Sequence, residues 1–264
     1  MKAIKHPNRW LRYTSLSIVL VIVVYMAMGY GSRSFEAFCP FGGVESLWGL
    51  FQTQEFSCTL GPLNLSILIG VLVLALVARK AFCGWACPIG FLGELASRFT
   101  GLIWRRRPQP SPKVNGYLKL MRYVVLIVAL YFTYKTGELI LRGYDPFFLL
   151  FSGFGHGSLG VVSWIVLAVL VVGAFLVPMF FCRYLCPMGA AFDPFSRLGL
   201  LKIARNESAC NMCGACERKC PQNLAPHSTV KLRHHDCTLC LECVDACTVD
   251  KALELKATLL GISR

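Results

Sequence analysis

Charge is what this sequence has least of. Only 16% of its 264 residues are charged, and acidic side chains are the scarcest, 14 Asp and Glu against 27 Lys and Arg. A soluble domain ordinarily carries ~25% charged residues, so a simple soluble enzyme is a poor fit. With 55% hydrophobic residues, a disordered chain is excluded. Histidine is sparse too. Of the five, only His156 falls near a long apolar run, at its outer edge, so a b-type haem pair inside a bilayer has no axial ligands to use. A small-x-small cleavage site is also missing after the first apolar run, which ends in Met28-Gly29-Tyr30; a cleaved signal peptide is therefore not expected.

What is present is apolar bulk with a formal net charge of +13, the composition of an integral membrane protein whose loops carry its positive charge. Four stretches approach the roughly 20 apolar residues that cross a bilayer core. They run about Tyr13–Tyr30, Leu63–Phe82, Leu118–Tyr134 and Leu159–Phe181. Basic residues are unevenly shared among the connections. The amino-terminal arm carries Lys2, Lys5, Arg9 and Arg12, and the stretch between the second and third runs carries Arg79, Lys80, Arg98, Arg105, Arg106, Arg107, Lys113, Lys119 and Arg122. The other two connections hold only Arg33, and Lys135 with Arg142. The positive-inside rule puts both termini in the cytoplasm, on a multi-pass protein of the cytoplasmic membrane.

The chain repeats itself at an offset of 99 residues: Phe82-Cys83-Gly-Trp-Ala-Cys87-Pro88-Ile-Gly90 matches Phe181-Cys182-Arg-Tyr-Leu-Cys186-Pro187-Met-Gly189. Each half reads as a hairpin out and back, followed by a Cys-x3-Cys-Pro motif at the inner face. Equal topology predicts a pseudo-twofold axis along the membrane normal. Pro88 and Pro187 are expected to open short helices. The first of these, Ile89–Trp104, is amphipathic and expected to lie in the membrane interface.

The tail carries two cysteine runs. The first is Cys210-Asn-Met-Cys213-Gly-Ala-Cys216-Glu-Arg-Lys-Cys220-Pro221, and the second is Cys237-Thr-Leu-Cys240-Leu-Glu-Cys243-Val-Asp-Ala-Cys247-Thr248. Two copies of C-x2-C-x2-C-x3-C are the bacterial ferredoxin pattern, in which three close thiolates hold one cubane and the fourth serves the other cluster. The expected ligands are Cys210, Cys213, Cys216 and Cys247 for one 4Fe–4S cluster, and Cys237, Cys240, Cys243 and Cys220 for the other. Zinc ribbons use two pairs across a long spacer, which this is not. The insert Pro221–Asp236, with His227, Lys231, Arg233, His234 and His235, reads as a solvated basic loop.

Six cysteines remain. Cys83, Cys87, Cys182 and Cys186 form two pairs at i and i+4. Brought together by the pseudo-twofold, they supply the four thiolates of a third metal or cluster site; redox-active dithiols and buried structural cysteines are the alternatives. Cys39 and Cys58 fall on the outer side, where a disulfide is the default and a functional thiol pair the alternative.

The expected fold is a mainly α membrane protein with four transmembrane helices as two pseudo-symmetric hairpins, plus a small α+β di-cluster ferredoxin domain. The expected divisions are residues 1–112, 113–201 and 202–264. Four spans, two Cys-x3-Cys-Pro motifs and this tail resemble the NapH/NosR-type membrane ferredoxins over essentially the whole length. Phe38-Cys39-Pro40-Phe41-Gly42-Gly43-Val44-Glu45 is similar to a NosR-like motif, whereas the length is closer to NapH. The resemblance implies electron transfer at the cytoplasmic membrane, linking the quinone/quinol pool to a respiratory reductase or its assembly. Lipid, quinone and a protein partner are the implied partners, without nucleic acid. Two rivals stand beside this reading. One is an assembly or maturation factor that reduces a metal or disulfide on a client enzyme; the other is a purely structural membrane subunit.

Overall fold

The computed structural model describes residues 7–29, 43, 47, 61–103, 111–136, 146–151, 161–228, 231–232, 234–249 and 251–257. Cys39 and Cys58 lie outside the described residues. The described residues are mostly helical up to Leu198: α1 (Pro7–Gly29), α2 (Gly61–Ala78), α3 (Ala81–Trp85), α4 (Pro88–Ile103), α5 (Pro112–Thr136), α6 (Pro146–Phe151) and α7 (Val161–Leu176), then a π-helical turn Phe181–Leu185, α8 (Pro187–Ala191) and α9 (Asp193–Leu198). Proline opens α1, α4, α5, α6 and α8, where its missing N–H costs nothing. The longest apolar helices overlap the four apolar runs. Of these, α1 and α5 are long and apolar enough to cross a membrane, while the apolar stretches of α2 and α7 are shorter. Helix α2 stops at Ala78 because Arg79 adopts a left-handed backbone, φ 54°, which ends a right-handed helix.

The tail adds β1 (Leu201–Arg205), α10 (Ala215–Lys219), β2 (Lys231–Leu232), α11 (Glu242–Asp245) and β3 (Leu253–Ala257). The three strands form an antiparallel sheet in the order β2-β1-β3, with Ile203 opposite Leu232 on one side and Leu255 on the other.

Two compact units result. One comprises Met1–Val19, Leu72–Phe91 and Phe192–Arg264, and the other Leu20–Val71 and Leu92–Ala191. The first unit joins the tail to the ends of α1 and α2. Its core is Ala78, Ile203, Leu224, Leu232, Leu239 and Leu253 with Cys216, Cys237 and Cys243. Cations clamp it. Arg79 donates to the carbonyls of Leu201 at 2.7 Å, Ser196 at 3.1 Å and Gly199 at 3.2 Å. Lys80 binds the carboxylates of Asp193 and Asp236. Arg12, 2% exposed, donates to the Gly84 carbonyl at 2.7 Å and meets Glu242 at 3.2 Å. Counted as loop charges in the sequence, these three cations are buried ion-pair and hydrogen-bond donors here, the condition under which buried charge is tolerated.

In the second unit α5 packs on the π-helical turn and α8. Asn115 Oδ1 accepts from both Arg183 and Tyr184, each at 2.8 Å. Helix α4, which runs from one unit into the other, inverts the soluble pattern: Glu94, Ser97 and Thr100 are buried while Leu95 and Phe99 are exposed.

Candidate functional site

The eight tail cysteines surround two cavities. Cys220, Cys237, Cys240 and Cys243 line one, walled by Ile203, Leu224, Pro226, Leu232, Leu239 and Leu241. Cys210, Cys213, Cys216 and Cys247 line the other, with His227, Ala252 and Leu253. The fourth cysteine of each run thus faces the cavity of the other run.

Local backbone geometry explains how three thiols in seven residues turn to one point. Met212, Gly214, Leu239 and Leu241 are all left-handed, with φ between 47° and 67°. They sit at equivalent places in the two runs, 27 residues apart. Only one is glycine, so the other three carry a backbone cost of about 1–2 kcal/mol each. Asn223 is left-handed as well, φ 51°, and the backbone N–H of the Leu224 that follows it donates to Cys220 Sγ at 3.4 Å; backbone hydrogen bonding also offsets part of the burial effect at Cys237 and Cys216. Each third cysteine, Cys216 and Cys243, then sits on the one-turn helices α10 and α11.

The thiols pay electrostatically for being close and buried. Burial first, then the neighbouring Cys240, pushes Cys220 up to about 12. Burial likewise carries Cys237 to about 11, Cys243 well above the ordinary thiol value, and Cys216 upward. Burial thus holds Cys216, Cys220, Cys237 and Cys243 in the protonated form unless cations replace the protons. Metal binding does this, since a coordinating thiol is deprotonated outright. Soft thiolate donors, four per cavity, with amides aimed at the sulfurs, fit an iron–sulfur cluster in each.

The Cys-x3-Cys-Pro motifs share a local geometry. The Cys87 amide donates to the Phe82 carbonyl at 3.0 Å, and the Cys186 amide to the Phe181 carbonyl at 2.9 Å, the same five-residue reach. Proline follows and opens α4 or α8. Cys83 and Cys87 lie in the first compact unit, Cys182 and Cys186 in the second. None of the twelve described cysteines is in a disulfide.

The first motif packs against the tail. Trp85 Nε1 donates to the Leu239 carbonyl at 3.0 Å. A Cβ on Gly84 would lie 2.6 Å from the Thr238 carbonyl oxygen. The sequence reading missed Arg12, Gly84, Trp85 and Glu242. The signal for Gly84 was available, since glycine replaces the arginine found at the equivalent place in the second motif. The insert also departs from a solvated basic loop: Leu224, Pro226 and Leu232 are buried and line the first cavity. Its His234 and His235 rings stack at 4.7 Å. Together with Asp236 their ligand atoms lie within 4.8 Å, but Lys80 is already 3.3 Å from that carboxylate.

A family model described as a 4Fe-4S binding domain matches residues 60–110 and 159–206. Each matched segment holds one Cys-x3-Cys-Pro motif, and the tail cysteines lie beyond both. Two uncharacterized proteins of Methanocaldococcus jannaschii are similar. One is 35% identical over 77% of this chain and 83% of its own length, the other 34% identical over 67% and 64%. The ferredoxin-type protein NapH of Escherichia coli is 30% identical over 70% of this chain and 64% of its own. The chain thus spans slightly under two thirds of two of these three relatives. No solved structure matches it.

Proposed function

Because the chain belongs to the NapH/NosR-type family of ferredoxin-like proteins, we propose that it is an iron–sulfur electron-transfer protein of the cytoplasmic membrane, exchanging electrons between the quinone/quinol pool and a protein partner. The observation that carries this reading is the pair of cavities, each ringed by four cysteines, in a tail clamped to the ends of two apolar helices. Clusters held there supply one-electron steps, whereas a quinol yields two electrons and two protons. The chain's residues shield the sulfurs, aim amides at them and tie them to the helices.

Membrane location is supported by the exposure of the spanning candidates. Only 17% of the α1 window and 11% of the α5 window is buried, unlike the core helices of a soluble protein. Ile18, Val21, Ile22 and Tyr25 of α1, and Leu120, Ile127, Val128 and Tyr131 of α5, are exposed apolar surface, more than a water-facing protein leaves uncovered. Four spans in two hairpins, with both termini cytoplasmic, complete the proposed topology, and residues 202–264 are the proposed ferredoxin domain. Cys83, Cys87, Cys182 and Cys186 are proposed as a third site, supported by the location of both 4Fe-4S family matches on their segments.

Anaerobic purification followed by iron and acid-labile sulfide analysis tests the cofactors. About eight iron per chain corresponds to two cubanes, and about twelve adds the third. Proteoliposomes then test the substrate. Menaquinol or ubiquinol is expected to alter the cluster EPR signals; unaltered signals with both quinols transfer the assignment to client maturation.

A further inference from the structure

The two cysteine-ringed cavities differ in their surroundings. The Cys220–Cys237–Cys240–Cys243 cavity is built into the clamp. Leu239, in its wall, accepts the Trp85 hydrogen bond. Thr238, also in its wall, closes on Gly84. Glu242, next to Cys243, pairs with Arg12 of α1. On the same short helix, Asp245 accepts from Asn8 at 3.4 Å. Every helix-end contact just named reaches this run and none reaches Cys210–Cys216. The other cavity has a wall open to solvent, where Asn211 and Cys213 are exposed and Met212 is 56% exposed.

We propose that the two sites are ordered. The site of Cys220, Cys237, Cys240 and Cys243 is the inner one, electrically coupled to α1 through the Arg12–Glu242 pair. The site of Cys210, Cys213, Cys216 and Cys247 is the outer one, open to solvent at the Met212–Cys213 edge. This rests on the reading that both cavities hold clusters. Arg12 and Glu242 act as positioning residues that also set the charge beside the inner site. Each is buried, at 2% and 7% exposure, so water screens neither well. A negative charge beside a cluster disfavours its reduction and a positive charge favours it.

The experiment uses the full-length protein in detergent, reduced stepwise and followed by low-temperature EPR. Cys213→Ser and Cys240→Ser assign each signal to its site. Arg12→Gln is expected to lower the midpoint potential of the inner signal, Glu242→Gln to raise it, and the double variant to return it close to the original, with the outer signal unmoved throughout. Opposite signs separate charge from mere loosening, because both single variants break the same ion pair. A soluble paramagnetic nickel chelate is expected to enhance relaxation of the outer signal and leave the inner one largely unaffected. Shifts falling on the outer signal, shifts of equal sign, or equal relaxation of both signals would overturn the ordering. Absence of cubane signals from the unmodified protein would instead remove the cluster reading on which the ordering rests.

Discussion

At the scale of single residues, Gly84 and Lys80 show how little latitude the first unit allows. A Cβ on Gly84 meets a backbone carbonyl at 2.6 Å, while Gly70 and Gly116 have nothing within 4 Å. Gly84→Val is therefore expected to destabilise the loaded protein by about 1–3 kcal/mol, the cost of overpacking. Gly70→Ala and Gly116→Ala are expected to stabilise it slightly, by up to about 1 kcal/mol. Thermal loss of the cluster absorbance measures all three. Lys80→Met removes the ammonium shared by Asp193 and Asp236, and breaking a buried pair in this way costs about 3–5 kcal/mol; the same melt should report it. The thiols give a pH prediction. Burial raises Cys220 and Cys237 above the ordinary 9 to about 12 and 11, so the metal-free fold favours their protonated form. That stability is complete below about pH 9 and is lost as pH rises through 11 to 12. Chelator-stripped protein should accordingly unfold in alkali before the loaded protein does, as followed by far-UV circular dichroism.

At the scale of elements, the two Cys-x3-Cys-Pro turns keep their frame and differ in the middle. Gly84-Trp85-Ala86 lets the first lie flat against Thr238 and Leu239. Arg183-Tyr184-Leu185 turns the second toward Asn115. Replacing Gly84-Trp85-Ala86 by Arg-Tyr-Leu is expected to free the tail, seen as faster proteolysis between α9 and β1 with the helices intact. Spacing made the motifs legible, because metal and turn chemistry fix which residue types recur at which intervals. The prolines that open α4 and α8 were legible for the same reason. Three of the four left-handed residues in the cysteine turns were not: Met212, Leu239 and Leu241 have no sequence signature for that conformation, which is imposed by what surrounds them. Nor was the role of the insert. Its polar composition outweighed Leu224, Pro226 and Leu232, although these three were enough to wall a cavity.

For the molecule as a whole, exposed apolar helices and a cation-clamped tail lead to an expectation about extraction. The protein should remain in the membrane fraction through alkaline carbonate washing and keep its iron there; iron released with a soluble fraction would contradict the attachment of the tail. The sequence gives the charge asymmetry but not its use. Arg12, Arg79 and Lys80 count toward orientation as surface charges, yet pairing with Gly84, Glu242, Leu201, Asp193 and Asp236 is a property of distant segments that local composition does not encode. That use has a consequence for biogenesis. Arg12 and Lys80 are made long before Glu242 and Asp236, so the tail meets anchoring partners that already exist when its own carboxylates are synthesised. A chain deprived of α1 should then retain less iron than the intact one.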